Sequence, residues 1–206
     1  MALLSLAGAG LVCSCSTTPG DAASRGGHFP QAAELYQKGV AQGDSLAAIK
    51  LADLYYYRPG LPEDHQKALV WYGKAVDLGN PTPIYWIGAI YRDGKNNVPR
   101  DVSEAQLWFE RGAAIGQHYS MYDLADLHAS GLAQPGDDVR GLMWLDAVTE
   151  LARAFTPQNE GTQYVLRDPK SVRHRLEARM RESDIAKARS TAHDWVVQFR
   201  KDEAPK

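Results

Sequence analysis

Six histidines, His28, His65, His118, His128, His174 and His193, are the first side chains to weigh for chemistry. Only one segment gathers histidines and carboxylates closely: His118, Asp123, Asp126 and His128. Asp123 and Asp126, at i and i+3, would share a helix face, whereas Asp126 and His128 are two apart and would not. The spacing therefore favours a solvated or packed helix over a metal or acid–base site. Nucleophilic hydrolysis would need a Gly-x-Ser-x-Gly elbow, which is absent, as are His-Glu-x-x-His, an EF-hand loop and a phosphate-binding Gly-rich loop. The one Gly-x-Gly, at Gly8 and Gly10, lies in an apolar leader-like run. We expect no catalytic residue, no metal and no cofactor, and the chemistry to look for is that of binding.

Binding chemistry is better supplied. Tyr56, Tyr57, Tyr85, Trp86, Tyr119 and Tyr122 fall in helix-like segments, with Asp53, Asp123 and Asp126 nearby. Tyr and Trp bury large areas with few rotors, so they serve well as interface anchors. The three aspartates would complement a partner carrying basic side chains. If these rings form a surface, replacing Tyr85 and Tyr122 by Ala should weaken partner binding and leave thermal stability nearly intact.

The elements that must carry these residues repeat. Ala68-Leu-Val-Trp71-Tyr-Gly-Lys74-Ala75 recurs 37 residues later as Ala105-Gln-Leu-Trp108-Phe-Glu-Arg111-Gly112, and more weakly as Gly141-Leu-Met-Trp144. An earlier copy runs from Ala32 to Asp44. A second pattern keeps step: Ala48 to Tyr55, Ile84 to Tyr91 and Met121 to His128. Apolar residues at i, i+3, i+4 and i+7 give each segment one buried stripe, so every unit is a pair of helices. Gly43, Gly79 and Gly116 stand where each second helix should end. Gly88, Ala52 and Ala125, with Ala75 and Gly112, mark places where helices must approach closely. Phe29 to Gly43 reads as a second helix without its first. Ser171 to Arg181 and Asp184 to Phe199 read as closing helices, the latter led by Ser183 as N-cap.

These residues resemble the Sel1-like repeat, a relative of the tetratricopeptide repeat. The match is carried by Lys67-Ala68-x-x-Trp71, Glu104-Ala105-x-x-Trp108 and the closing glycines; the third unit departs from the pattern with His128 for Tyr and Gly141 for Ala. The resemblance implies an all-α, short right-handed solenoid of helix-turn-helix repeats with capping helices at both ends. Its array of about three and a half repeats would cover residues 29–155, followed by a loop at 156–170 and capping helices at 171–206.

The start of the chain reads differently. Ala2 to Val12 is an apolar run of eleven residues, too short for a membrane-spanning helix of roughly 20 and suited to a signal peptide. Val12-Cys13-Ser14-Cys15 resembles a bacterial lipobox, with Cys15 as the lipidated residue. That implies a signal peptide at 1–14, a flexible lipidated tether at 15–28, and a periplasm-facing protein anchored to the outer membrane of a Gram-negative bacterium. No Lys or Arg precedes the apolar run. After such cleavage no free thiol would remain, as suits an oxidising compartment.

Of 206 residues, 44% are hydrophobic and 23% charged, which excludes a disordered chain. Net charge is −2, with an acidic middle and a mildly basic tail, so nothing argues for nucleic acid. Arg173, Arg175, Arg179 and Arg181 alternate with Glu177, Glu182 and Asp184, the pattern of a solvated helix. A small lipid-anchored repeat protein resembles the immunity proteins that some Gram-negative bacteria use against type VI secretion toxins, phospholipase-type effectors among them. The partner expected is therefore a secreted toxin. The alternative is a scaffold lipoprotein for envelope, exopolysaccharide or cell-wall assembly.

Overall fold

The computed structural model describes residues 18–57, 62–94, 96–133, 137–154 and 169–203. Within them lie ten helices: α1 Pro19–Arg25, α2 Phe29–Ala41, α3 Ser45–Tyr56, α4 His65–Asp77, α5 Ile84–Asp93, α6 Val102–Ala114, α7 His118–Ala129, α8 Asp138–Ala154, α9 Pro169–Glu177 and α10 Glu182–Glu203. No strand occurs among the described residues, and the class is all-α.

Local chemistry sets the helix boundaries. Asp44, Asp64 and Asp101 cap α3, α4 and α6, each accepting a backbone N–H of the first turn, at 2.9, 3.0 and 3.0 Å. The second helices α2, α4 and α6 end alike. Gly43, Gly79 and Gly116 take φ of 86°, 83° and 75°, and the next N–H returns to a carbonyl five residues back: Asp44 to Gly39, Asn80 to Ala75 and Gln117 to Gly112. That is the Schellman ending, and a residue with a Cβ would be strained at its left-handed position.

Helices pair as the repeat requires, α3 with α4, α5 with α6 and α7 with α8, and each pair packs on the next. In each second helix that carries the repeated tryptophan, the residue after it is buried more deeply than the tryptophan itself. Tyr72, Phe109 and Leu145 are fully buried, and Tyr36 holds the same place in α2. Trp71 and Trp108 flank the core, with Arg111 stacked 4.2 Å from the Trp108 ring. The close-approach residues face these rings. A Cβ on Gly88 would stand 2.6 Å from Phe109 Cε1, and one on Gly20 would stand 2.6 Å from Tyr36 Cε1.

That equivalence corrects the expectation that a flexible tether runs to residue 28. Thr18 and Asp21 form a reciprocal capping box, Pro19 occupies the first turn, and α1 packs on α2 as the missing first helix. Tyr36 therefore has the partner that its repeat position demands.

The closing helices also differ from expectation. α9 begins at Pro169, two residues early, because proline suits a first turn. It stops at Glu177, and α10 then starts at Glu182, which puts Ser183 inside the first turn of α10 and not at its cap. Ala188, Ala192 and Val196 of α10 are buried against α8. Trp195 meets Trp144 edge-on at 5.3 Å and stacks on Phe199 at 5.0 Å. Arg173 and Arg175 of α9, and Arg179 just beyond it, are tethers more than solvated groups, whereas Arg181 stays exposed and pairs locally with Asp184. Arg173 pairs with Asp146, Arg175 with Asp126, and Arg179 with Asp138 at 2.6 Å while also donating to the His128 and Ala129 carbonyls.

Candidate protein-binding site

The first helices α3, α5 and α7 bring most of the expected rings together. Tyr57 and Tyr56, at the end of α3, lie 6.0 and 5.7 Å from Trp86 of α5. Trp86 meets Tyr85 at 5.1 Å, and Tyr85 meets Tyr119 of α7 at 5.1 Å. Five rings thus form a continuous rail across three repeats. Its most open member is Tyr57, 56% exposed; Trp86, Tyr85, Tyr119 and Tyr56 are half-buried. Tyr56 is held from beneath by the buried His65, stacked on it at 4.9 Å.

Tyr122 does not join the rail. It is 9% exposed and belongs to the core that includes Phe109 and Leu124. Tyr85 and Tyr122 share a repeat position, but the closing helices that follow α7 give the last repeat different neighbours from those of α5. A substitution at Tyr122 tests stability, so the expectation that Tyr85 and Tyr122 could both be removed without loss of stability does not hold for Tyr122.

The three aspartates also divide. Asp123, 4% exposed, pairs with Arg92 of α5, and Asp126 pairs with Arg175 of α9. Burial works against the Arg92 cation, but the Asp93 hydrogen bond and the Asp123 carboxylate more than offset it. These two acids are answered within the fold and do not form a free acidic face for a basic partner. His128 is buried at the far end of α7, and burial pushes its pKa down. His118, Asp123, Asp126 and His128 therefore do not converge, and no group of three or more His, Cys, Asp or Glu among the described residues is arranged to hold a metal ion.

Asp53 is different. It is half-buried on α3 and accepts the hydroxyl of the fully buried Tyr72 at 2.6 Å. Burial pushes its carboxyl pKa up, and the Tyr72 hydrogen bond only partly opposes the shift. Tyr57, one turn on, is pushed up to about 12 by burial and by the Asp53 charge. Sequence reasoning singles out Asp53 but misses Tyr72, Lys50, Arg92 and Arg175, the residues that decide which acid is satisfied. Aligning first helices at the repeat spacing puts Lys50, Trp86 and Asp123 in one position and Tyr56 and Arg92 in another, a signal present in the sequence. Cys15, the expected lipidation residue, lies outside the described residues.

The repeats themselves are found in known proteins. Residues 29–44, 45–80, 84–117 and 118–147 match the Sel1 repeat model. The chain belongs to the Sel1 repeat family. Its Sel1 repeats are similar to the ERAD-associated E3 ubiquitin-protein ligase component HRD3A of Arabidopsis thaliana, 37% identical over 62 residues, 30% of this chain and 9% of the relative. This chain thus spans under a tenth of that curated relative. Among solved structures, c5321, a protective antigen of uropathogenic Escherichia coli, aligns over 91% of this chain and 42% of its own length, at 21% identity and a TM-score of 0.62. A Sel1 repeat protein from Oxalobacter formigenes aligns over 85% and 65%, at 23% identity and a TM-score of 0.57. These similarities establish the solenoid fold, and Sel1 repeats are in general non-enzymatic scaffolds for protein interaction.

Proposed function

We propose that this Sel1 repeat protein is a periplasm-facing, lipid-anchored inhibitor that binds a secreted toxin and blocks it, as an immunity protein does. The observation that carries the reading is the rail from Tyr57 through Trp86 and Tyr85 to Tyr119, which offers aromatic area to a partner on helices fixed by the core. A rigid aromatic surface loses little side-chain entropy on binding, which suits a tight inhibitor. An anchor would hold the inhibitor in the compartment that the toxin enters and raise its effective concentration there. Cys15 is the residue proposed to carry the lipid.

The alternative is assembly scaffolding in the envelope. It draws support from the similarity to a component of a multiprotein ligase. Affinity purification of the tagged protein from its host's envelope, in native form and as Tyr57→Ala with Trp86→Ala, separates the two. One stoichiometric partner with a hydrolase domain, lost in the variant, and protection of cells expressing that partner, support inhibition. Recovery of polysaccharide or cell-wall machinery instead would overturn it.

A further inference from the structure

Asp53 has equivalents within the molecule. In α1, Asp21 follows Gly20 as Asp53 follows Ala52, and accepts the Tyr36 hydroxyl at 2.9 Å as Asp53 accepts that of Tyr72. In α7, Asp126 follows Ala125. At two of these three places the next first helix supplies a cation: Lys50 of α3 reaches Asp21 at 2.7 Å, and Arg175 of α9 reaches Asp126. The residue of α5 in the Lys50 position is Trp86. Asp53 therefore keeps the hydroxyl and, among the described residues, has no cation beside it. The consequence is visible in the two carboxyls. Against burial, Lys50 together with Tyr36 and Thr18 holds Asp21 well below the usual carboxylate range, whereas burial raises the more deeply buried Asp53, which has Tyr72 alone to oppose it.

The groups that meet Asp53 are aromatic: Tyr72 donates to it, and the Tyr57 hydroxyl feels its charge. Tyr57 and Trp86 meet at 81°, with Tyr56 edge-on to Tyr57 at 4.6 Å. Ring faces attract a guanidinium, which also stacks on them, while a carboxylate fixes its charge by hydrogen bonds. Arginine is weakly hydrated and loses less than lysine on entering a half-buried place.

We propose that Asp53, Tyr57 and Trp86 form a receptor for an arginine side chain of the protein partner, which takes the place that Lys50 and Arg175 fill in the neighbouring repeats. This deepens the proposed function and rests on its protein-binding rail. The probe is N-acetyl-arginine amide, titrated into the full chain and followed by the Trp86 indole and Tyr57 resonances in NMR spectra. The neutral isostere N-acetyl-citrulline amide serves as control. Saturable shifts are expected with arginine, at least about tenfold weaker with citrulline and in Asp53→Asn. The amide introduced by Asp53→Asn retains an oxygen for the Tyr72 hydroxyl, and a circular dichroism melt no lower than that of the native chain checks the fold. Trp86→Lys, which restores the cation of the other repeats, should likewise abolish the Tyr57 shifts. Equal binding of arginine and citrulline, or no saturable shift, would overturn the proposal. If the envelope partner is still lost in Tyr57→Ala with Trp86→Ala but kept in Asp53→Asn, the arginine receptor falls and the rail stands. If the aromatic variant keeps the partner, the rail itself falls.

Discussion

Replacing Gly88 by Ala sets two effects of opposite sign against each other. Gly88 sits mid-way along α5, where alanine is better than glycine by about 1 kcal/mol in helix propensity. Its Cβ would stand 2.6 and 2.7 Å from Cε1 and Cδ1 of Phe109. Phe109 is fully buried, with the Tyr85 ring at 6.0 Å and the Arg92 guanidinium at 5.9 Å, so its ring has little room to withdraw. Overpacking of this kind costs about 1–3 kcal/mol, and a contact this short with a confined ring belongs at the upper end. The net effect is a loss of about 1–2 kcal/mol. A chain of this size then melts lower by about 2–4 °C for each kcal/mol. Gly73, in α4, is the control, since nothing lies within 4 Å of its Cβ position. There alanine should stabilise by about 0.5–1 kcal/mol. Urea titrations of both variants give midpoints and slopes, and Phe109→Leu in the Gly88→Ala background should recover part of the loss. A Gly88→Ala protein as stable as the native chain would show that the Phe109 ring can withdraw and that helix propensity outweighs overpacking here.

Tyr122→Ala, in the core, should cost about 3 kcal/mol or more, and Tyr57→Ala, on the surface, within about 0.5 kcal/mol; denaturant titration separates them. Asp53→Asn should stabilise the protein at pH 7. A carboxyl raised on folding lowers stability as pH rises through its folded pKa, and asparagine removes that loss, so the native and variant curves should converge in acid. Asp21 has the opposite sign. Burial pushes its carboxyl up, but Lys50 and then Tyr36 hold it well below the ordinary range, so its contribution is full above about pH 4 to 5 and lost below. Protection of the α1 amides, measured against their intrinsic exchange rates, should hold down to about pH 5 and fall on further acidification, while Lys50→Met should lose that protection at neutral pH. Burial lowers the His128 pKa, so the unfolded chain takes up a proton near about pH 6.5 before the folded one does, and stability declines as pH falls through that range. His128→Phe should flatten the decline between about pH 7 and 5; an unchanged slope would mean that another group titrates.

Helix pairing, the three glycine endings and the aromatic composition of the first helices were legible in the sequence because each follows from residues close in the chain. A Schellman ending needs only one glycine after an amphipathic run, and Asp44, Asp64 and Asp101 cap their own helices. The repeat then sets α3, α5 and α7 side by side, and that packing brings Trp86 beside Tyr57 and Tyr119 beside Tyr85. Helix α1 was not legible. Ser, Thr, Gly and Ala are as common in tethers as in a short helix; beyond the local Thr18–Asp21 capping box, the Tyr36 ring over Gly20 and the Asp21–Lys50 pair give this segment a reason to fold.

The solenoid and most of the rail are written along the chain, since helix periodicity and turn chemistry act within one repeat. Which acids remain available is settled only when the helices pack. Asp53, Asp123 and Asp126 look alike along the chain, yet Arg92 answers one from 31 residues before it and Arg175 another from 49 residues after. Whether a carboxylate is satisfied depends on a charge brought beside it by the packing of the next helix, and at Asp53 that packing brings Trp86.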